Sequence, residues 1–223
     1  MQQITAVLFS GGLDSAVLLA RAAREGPVQP LYVSVGLAWE AEERRIVSFF
    51  LSSLAKNADI LPLASLRFDM TDVYPPSHWA IRGEAPAFDT PDEDVYLEGR
   101  NIVLLSKAAV FMARAKIRRV CIGPLAGNPF PDATDRFFET FAQALSIGLA
   151  SPIEIEAPFA SLHKADVIRL GRELDVPLDL TLSCMQPDEG RHCGRCSKCR
   201  ERRDAFIESG VEDPTAYAVR PER

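Results

Sequence analysis

No run of apolar residues approaches the ~18 that cross a bilayer, so no membrane-spanning helix is expected. No positive charge precedes the first apolar run, which starts after Met1-Gln2-Gln3-Ile4-Thr5 and is broken by Gly11, Gly12 and Asp14. A secretory leader is therefore not expected, and the cytoplasm is the expected compartment. Nothing points to an oxidising environment, which disfavours disulfides. Positive charge is in deficit. A net charge of −6 argues against a general nucleic-acid coat, so nucleic acid is not the expected partner. Internal repeats and low-complexity segments are also missing. What remains is a chain of 223 residues, 47% hydrophobic, enough for one good core and a small appendage.

Apolar runs with β-formers predict strands at Ala6–Phe9, Leu31–Val35, Ile60–Phe68, Arg119–Gly123 and Ile153–Ile155, with Pro62 weakening the third. Helical spacing predicts helices from Asp14 to about Gly26, Trp39–Lys56, Ile102–Ala115, Asp135–Ile147, Lys164–Leu174 and a last one around Asp204–Glu208. Strands alternating with helices imply an α/β fold, a parallel sheet covered by helices on both faces, with ligands at the carboxyl ends of the strands. The alternation fades near Pro158. The expected division is therefore an α/β domain over residues 1–157, which the glycine turn described below would make nucleotide-binding, and a small helical subdomain over 158–223, which the cysteines described below would make zinc-binding. The Pro-rich, acidic stretch Thr71–Glu98 is long for a loop, and loops of that length are usually functional or disordered.

Cysteine is concentrated in one place. Cys184, Cys193, Cys196 and Cys199 lie within sixteen residues, with two Cys-x-x-Cys steps sharing Cys196. Such spacing suits a closed tetrahedral Zn²⁺ site that holds structure rather than doing chemistry, against a pair of disulfides or free thiols. Gly194 relieves the backbone between ligands. Cys121, in Val120-Cys121-Ile122, reads as a core residue. The basic stretch Arg191–Arg203 reads as a solvated helix face or, less simply, a phosphate or RNA contact. His163 and His192 have no partner motif and read as surface or cap residues.

The first strand-to-helix turn is Phe9-Ser10-Gly11-Gly12-Leu13-Asp14-Ser15. Adjacent glycines let backbone N–H groups face an anion, the next helix points its N-terminus there, and Ser10 and Ser15 add hydroxyls. Neither Gly-x-Gly-x-x-Gly nor the Lys-Ser/Thr ending of a P-loop is present.

Ser-Gly-Gly-x-Asp-Ser at Ser10–Ser15 resembles the PP-loop ATP pyrophosphatases, and the resemblance implies an adenine nucleotide alpha hydrolase-like, Rossmann-like fold that cleaves ATP between its α- and β-phosphates. Residues Phe9 to Ser15 would cradle ATP, and Asp14 would help hold Mg²⁺, unless it serves only the helix dipole. Combined with Ser183-Cys184-(x8)-Cys193-Gly194-Arg195-Cys196-Ser197-Lys198-Cys199 and the arginines after it, the chain is similar to the 7-cyano-7-deazaguanine synthase family of queuosine biosynthesis. Gly99-Arg100-Asn101, Pro131-Asp132 and Lys164 also match, and the similarity runs from Val7 to Phe206. It implies an ATP-dependent ligase forming C–N bonds, using ATP, Mg²⁺ and Zn²⁺. The reaction would take the carboxylate of a deazapurine, 7-carboxy-7-deazaguanine, with ammonia to the amide and then the nitrile preQ0.

Three stretches depart from that family: Val35-Gly36-Leu37-Ala38-Trp39-Glu40 in place of a polar trio after the glycine, Ala133-Thr134 after Asp132, and Met185 after Cys184. They fit a divergent member, a paralogue acting on another small molecule, a tRNA base or a protein, or a module that binds ATP without turnover. Arg100 could grip a phosphate or carboxylate, or pair with Glu98 at the surface. Asp132 could accept from the amidine edge of a guanine analogue, or cap a turn. Lys164 could neutralise charge during adenylation, as a catalytic residue with Asp14, or be a solvated first-turn lysine. Trp39 and Trp79 could stack on a base, but Trp39 sits at a helix start and reads as packing. Monomer or homodimer is left open.

Overall fold

The structure is a computed structural model and describes residues 3–54 and 59–221. Five parallel strands form one sheet: β1 (Thr5–Leu8), β2 (Val28–Ser34), β3 (Ala64–Arg67), β4 (Arg119–Cys121) and β5 (Glu154–Glu156), in the order β3-β2-β1-β4-β5. The helices are α1 (Leu13–Glu25), α2 (Glu40–Leu54), α3 (Trp79–Arg82), α4 (Arg100–Ala115), α5 (Asp135–Leu149), α6 (Lys164–Glu173) and α7 (Ser197–Ser209). Among the described residues no helix is long and apolar enough to cross a membrane.

Strand alternation builds two cores, because successive side chains leave a strand on opposite faces. Ala6, Leu8, Leu31, Val33 and Val120 enter one buried cluster, with Leu105, Ala108 and Met112 of α4. Val7, Phe9, Val28, Tyr32 and Cys121 enter the other, with α1. That second cluster also takes Phe159, Val167, Ile168, Ala205 and Phe206, so α6 and α7 pack onto the face that α1 covers. The sheet is thus layered on both faces, as the alternation predicts.

Several boundaries differ from expectation, β2 among them, which starts at Val28 rather than Leu31. β3 covers only Ala64–Arg67, and Ile60 makes an isolated bridge to Val28. Pro62 has no N–H for a ladder, and its carbonyl accepts instead from Gln29 Nε2 at 2.7 Å. The end of the second helix at Lys56 lies outside the described residues. α4 begins at Arg100, two polar residues earlier than its apolar pattern. α7 begins at Ser197, inside the cysteine cluster, with Cys196 as its N-cap. The long stretch after Thr71 is structured, holding α3 and a 3₁₀ turn at Asp92–Val95. It lies against the cysteine segment: Ala87 bridges Cys196, Ser197 N–H donates to Pro86 O at 3.2 Å, and Arg200 Nη2 donates to Thr90 O at 3.1 Å.

Candidate active site and tetrathiolate cluster

The glycine turn sits between β1 and α1, at the carboxyl edge of the sheet. Gly11 has φ +78°, and a Cβ there would lie 3.1 Å from Val47 Cγ2, so both backbone and space demand glycine. Ser15 Oγ donates to Gly12 O at 3.0 Å, and Gly12 N–H faces Ser10 Oγ at 3.4 Å. The side chains of Phe9 and Leu13 are buried in the core, Phe9 with its ring 5.3 Å from that of Phe50. These two residues can reach a ligand only through their backbone. The first turn of α1 presents N–H groups that have no carbonyl four residues back.

Two adjoining recesses, about 290 and 360 Å³, open from this turn and share Ser10, Gly12, Asp14, Glu43, Arg100 and Asn128. One extends past Tyr32, Tyr96 and Asp132, the other past Trp39, Lys164, Lys198 and Glu201.

Lys164 opens α6 and places Nζ 3.3 Å from Asp14 Oδ2, with Glu201 Oε1 on its other side. Glu201 Oε2 is 2.7 Å from Lys198 Nζ. Burial pushes the Asp14 carboxyl above its ordinary value, with Lys164 opposing. Burial works against the Lys164 ammonium, but Asp14 and Glu201 outweigh it and hold its proton more tightly than usual. For Glu201 burial also favours the neutral acid, yet Lys164 and Lys198 prevail and hold the carboxyl down at about 2. Two of the atoms facing the recess, Asp14 Oδ1 and Arg100 Nε, are buried with no hydrogen-bond partner among the described residues. Such orphans cost free energy unless a ligand completes them. An orphan carboxylate oxygen beside a phosphate-type turn fits a hard divalent cation such as Mg²⁺.

Arg100 has no ion pair with Glu98 among the described residues. Its charge instead acts on Glu43, a carboxylate on the apolar face of α2. Burial raises the pKa of Glu43, opposed by Arg100 and by hydrogen bonds from Tyr32 OH (2.9 Å) and Trp39 Nε1 (3.1 Å). Asp132 is 4% exposed and caps α4: Oδ2 accepts from Asn101 N–H at 3.0 Å, and its carbonyl from Asn101 Nδ2 at 3.1 Å. It lines the first recess and not the second, which Lys164 lines. The segment after β2 is apolar packing. Trp39 stacks on Trp79 at 5.7 Å, while Glu40 ties down Val35 and Gly36 N–H at 2.7 and 3.0 Å. Met185 is buried and lines the same recess as Trp39.

The four cysteines converge. Cys184–Cys196, Cys193–Cys199 and Cys196–Cys199 sulfurs are 4.0, 3.9 and 3.5 Å apart, and all four lie within 4.8 Å of one another as free thiols. Four sulfurs about 2.3 Å from one zinc ion would sit about 3.8 Å apart, so the donor set fits a tetrahedral metal. Backbone N–H groups of Gln186 and Cys193 point at Cys184 Sγ, both at 3.3 Å, and that of Gly194 at Cys199 Sγ at 3.4 Å. At Gly194, φ is +77° and a Cβ would fall 1.6 Å from Val219 O, where the C-terminal segment crosses the loop. His192 donates to and accepts from that segment through its backbone, at Ala216 O (2.9 Å) and Ala218 N (2.8 Å). Its ring is buried, a correction to the surface expectation, and Nε2 accepts from Ser183 N–H at 3.0 Å. Cys121 is the core residue expected, its thiol pushed up to about 12 by burial and by Glu156.

Sequence reasoning missed Glu201, Lys198, Glu43 and Arg202. Arg202 corrects the solvated-face expectation: it is 0% exposed and donates to Thr215 Oγ1 (2.6 Å), Thr181 Oγ1 (2.9 Å), Ser183 Oγ (3.1 Å) and Leu178 O (2.8 Å). One signal was available for it. Cys196 and Cys199 fix the phase of α7, and Arg202 follows Cys199 by three residues, on the same face. Glu43 likewise lies on the Val47–Phe50 stripe of α2.

A model of the family described as queuosine biosynthesis protein QueC matches residues 4–210. The chain is 34% identical over 227 residues to a 7-cyano-7-deazaguanine synthase of Methanoculleus marisnigri, covering 94% of this chain and 96% of that one. It is 33% identical over 221 residues to a 7-cyano-7-deazaguanine synthase of Anaeromyxobacter dehalogenans, covering 95% and 94%. Among solved structures, the U34-tRNA thiolase NcsA of Methanococcus maripaludis superposes with a TM-score of 0.50 at 12% identity, over 95% of this chain and 74% of that one, a likeness of fold alone.

Proposed function

From the premise that the chain belongs to the queuosine biosynthesis protein QueC family, we propose that it is an ATP-dependent ligase. It would convert 7-carboxy-7-deazaguanine and ammonia to 7-cyano-7-deazaguanine. The observation that supports this reading is the meeting of a Ser-Gly-Gly-x-Asp-Ser turn, the half-buried cations Arg100 and Lys164, and an orphan carboxylate oxygen at one recess. A triphosphate with its metal would supply the missing partners.

The substrate carboxylate oxygen attacks the α-phosphorus of ATP, and the bond to the bridging oxygen breaks to release pyrophosphate. Residues Ser10–Ser15 bind the departing group through backbone N–H and hydroxyl donors, and Asp14 Oδ1 would hold Mg²⁺, which screens phosphate charge. Lys164 and Arg100 are placed to neutralise the charge that develops on the phosphate oxygens. Ammonia then displaces AMP to give the amide, and a second activation of the amide oxygen lets AMP leave with that oxygen as the nitrile forms. The apolar wall of Trp39 and Met185 excludes water that would otherwise hydrolyse an adenylate. The cysteines, holding Zn²⁺, would fix the wall of the recess and take no part in the chemistry.

The test is direct. Purified protein with ATP, Mg²⁺, ammonium and 7-carboxy-7-deazaguanine should release AMP only when the acid is present, with the nitrile seen by mass spectrometry. No acid-dependent turnover of nucleotide would remove this substrate assignment.

A further inference from the structure

We propose that Lys198, on the metal-binding helix α7, is a second polyphosphate-binding residue beside Lys164, an inference that rests on the nucleotide reading above. Lys198 lies at the second residue of α7, between Cys196 and Cys199. A lysine there opposes the helix dipole, and the first turn of α7 holds no acid to offset it. The N-terminal end of a helix attracts anions, and Lys198 adds to that attraction instead of answering it.

Its ammonium is held at the recess by Glu201, whose two oxygens divide between two lysines: Oε2 to Lys198 at 2.7 Å and Oε1 to Lys164. Two ammoniums side by side repel, and one carboxylate between them keeps both at the wall. Lys164 in turn reaches Asp14 Oδ2 at 3.3 Å, so the charges alternate from α1 through α6 to α7. The recess carries three cations (Arg100, Lys164, Lys198) against three carboxylates (Asp14, Glu43, Glu201). A divalent cation on the orphan oxygen of Asp14 would leave the two lysines facing a polyanion. The cysteine cluster fixes where Lys198 stands, since Cys196 lies two residues before it and Cys199 directly after it.

The experiment is calorimetric titration of the full, metal-loaded chain with inorganic pyrophosphate and, separately, with AMP. Lys198→Met should weaken pyrophosphate binding about tenfold, the value of one charge-assisted contact. AMP affinity should stay within about twofold and metal content should match the wild type. Lys198→Arg, which keeps the charge, should recover most of the lost affinity. Equal pyrophosphate affinity in wild type and Lys198→Met would overturn this inference alone. Joint loss of AMP binding and metal would make Lys198 structural and overturn it too. Wild-type protein that binds neither pyrophosphate nor ATP would take down the nucleotide reading itself, and this inference with it.

Discussion

Replacing Cys196 by serine should empty the tetrathiolate site and open one defined part of the molecule. Structural zinc binds with an apparent free energy of about 10–16 kcal/mol in small metal domains, comparable to the about 5–15 kcal/mol that holds a whole domain folded. Apolar packing cannot replace it locally, because the segment 181–196 contributes few large buried side chains beyond Leu182 and Met185. The consequences follow hydrogen bonds. Leu182 N–H donates to Gly11 O at 2.8 Å, tying the cysteine segment to the phosphate turn. His192 and Ala218 tie it to the C-terminal strap. These amides should lose at least about 4 kcal/mol of protection, or roughly a thousandfold in hydrogen-exchange rate. Amides of the β1 core, such as Phe9 N–H bonded to Leu31 O at 2.9 Å, should keep theirs. Metal content should fall from one ion per chain to near zero by elemental analysis. Wild-type protein with well under one metal per chain would refute the reasoning. So would a metal-free Cys196→Ser chain whose Leu182 and His192 amides stay as protected as before.

Three further outcomes are expected. Gly11→Ala should destabilise by about 1–3 kcal/mol, from a left-handed backbone and a crowded Val47, and should depress ATP turnover; denaturant melts and an AMP-release assay check both. Arg202→Met should cost about 2–4 kcal/mol with the metal retained: four acceptors lose a cationic donor, partly offset because a charge no longer has to be buried. Arg202→Lys should recover less than half of that in the same denaturant melts, because an ammonium cannot reproduce the fork. Asp132→Ala should cost about 1–2 kcal/mol by uncapping α4 at Asn101, and should raise KM for the acid more than it lowers kcat in steady-state assays.

Local chemistry made much of this site legible. The glycine turn is contiguous, and the resemblance it carries is written in six adjacent residues. The cysteines need only a short loop to converge. The sheet followed from alternation, since buried parallel strands appear as apolar runs wherever no proline interrupts them. Pro62 is where that rule shortened a strand. Lys164 was named because it matches the lysine before the late helix of the resembling family, and the structure sets it against Asp14 at 3.3 Å. What stayed hidden were residues whose role depends on tertiary phase. Lys198, Glu201 and Arg202 sit in a charged run that looks solvated, and only the packing of α7 on α6 separates those that turn inward from those that do not.

That packing also bears on the departures from the family pattern, none of which falls in the Ser10–Ser15 turn or at Lys164. The residues after Gly36 exchange polar groups for Leu37 and Trp39, yet Glu40 still closes the turn after β2 by accepting from Val35 and Gly36 N–H. Trp39 then meets Trp79, which the long Pro-rich stretch delivers, and the same stretch lays Pro86 and Thr90 against the start of α7. One continuous layer therefore runs from the Trp39 wall to the cysteine cluster, and from the cluster through Leu182 to Gly11. Changing side chains on the acceptor wall alters what the recess can hold, while the hydrogen bonds that position Ser10, Asp14 and Lys164 come from backbone and from α6 and α7. On the proposed reading acceptor choice and pyrophosphate binding would rest on different atoms, and a substitution at Trp39 should change acceptor affinity and the loss of adenylate to water while leaving pyrophosphate affinity unmoved.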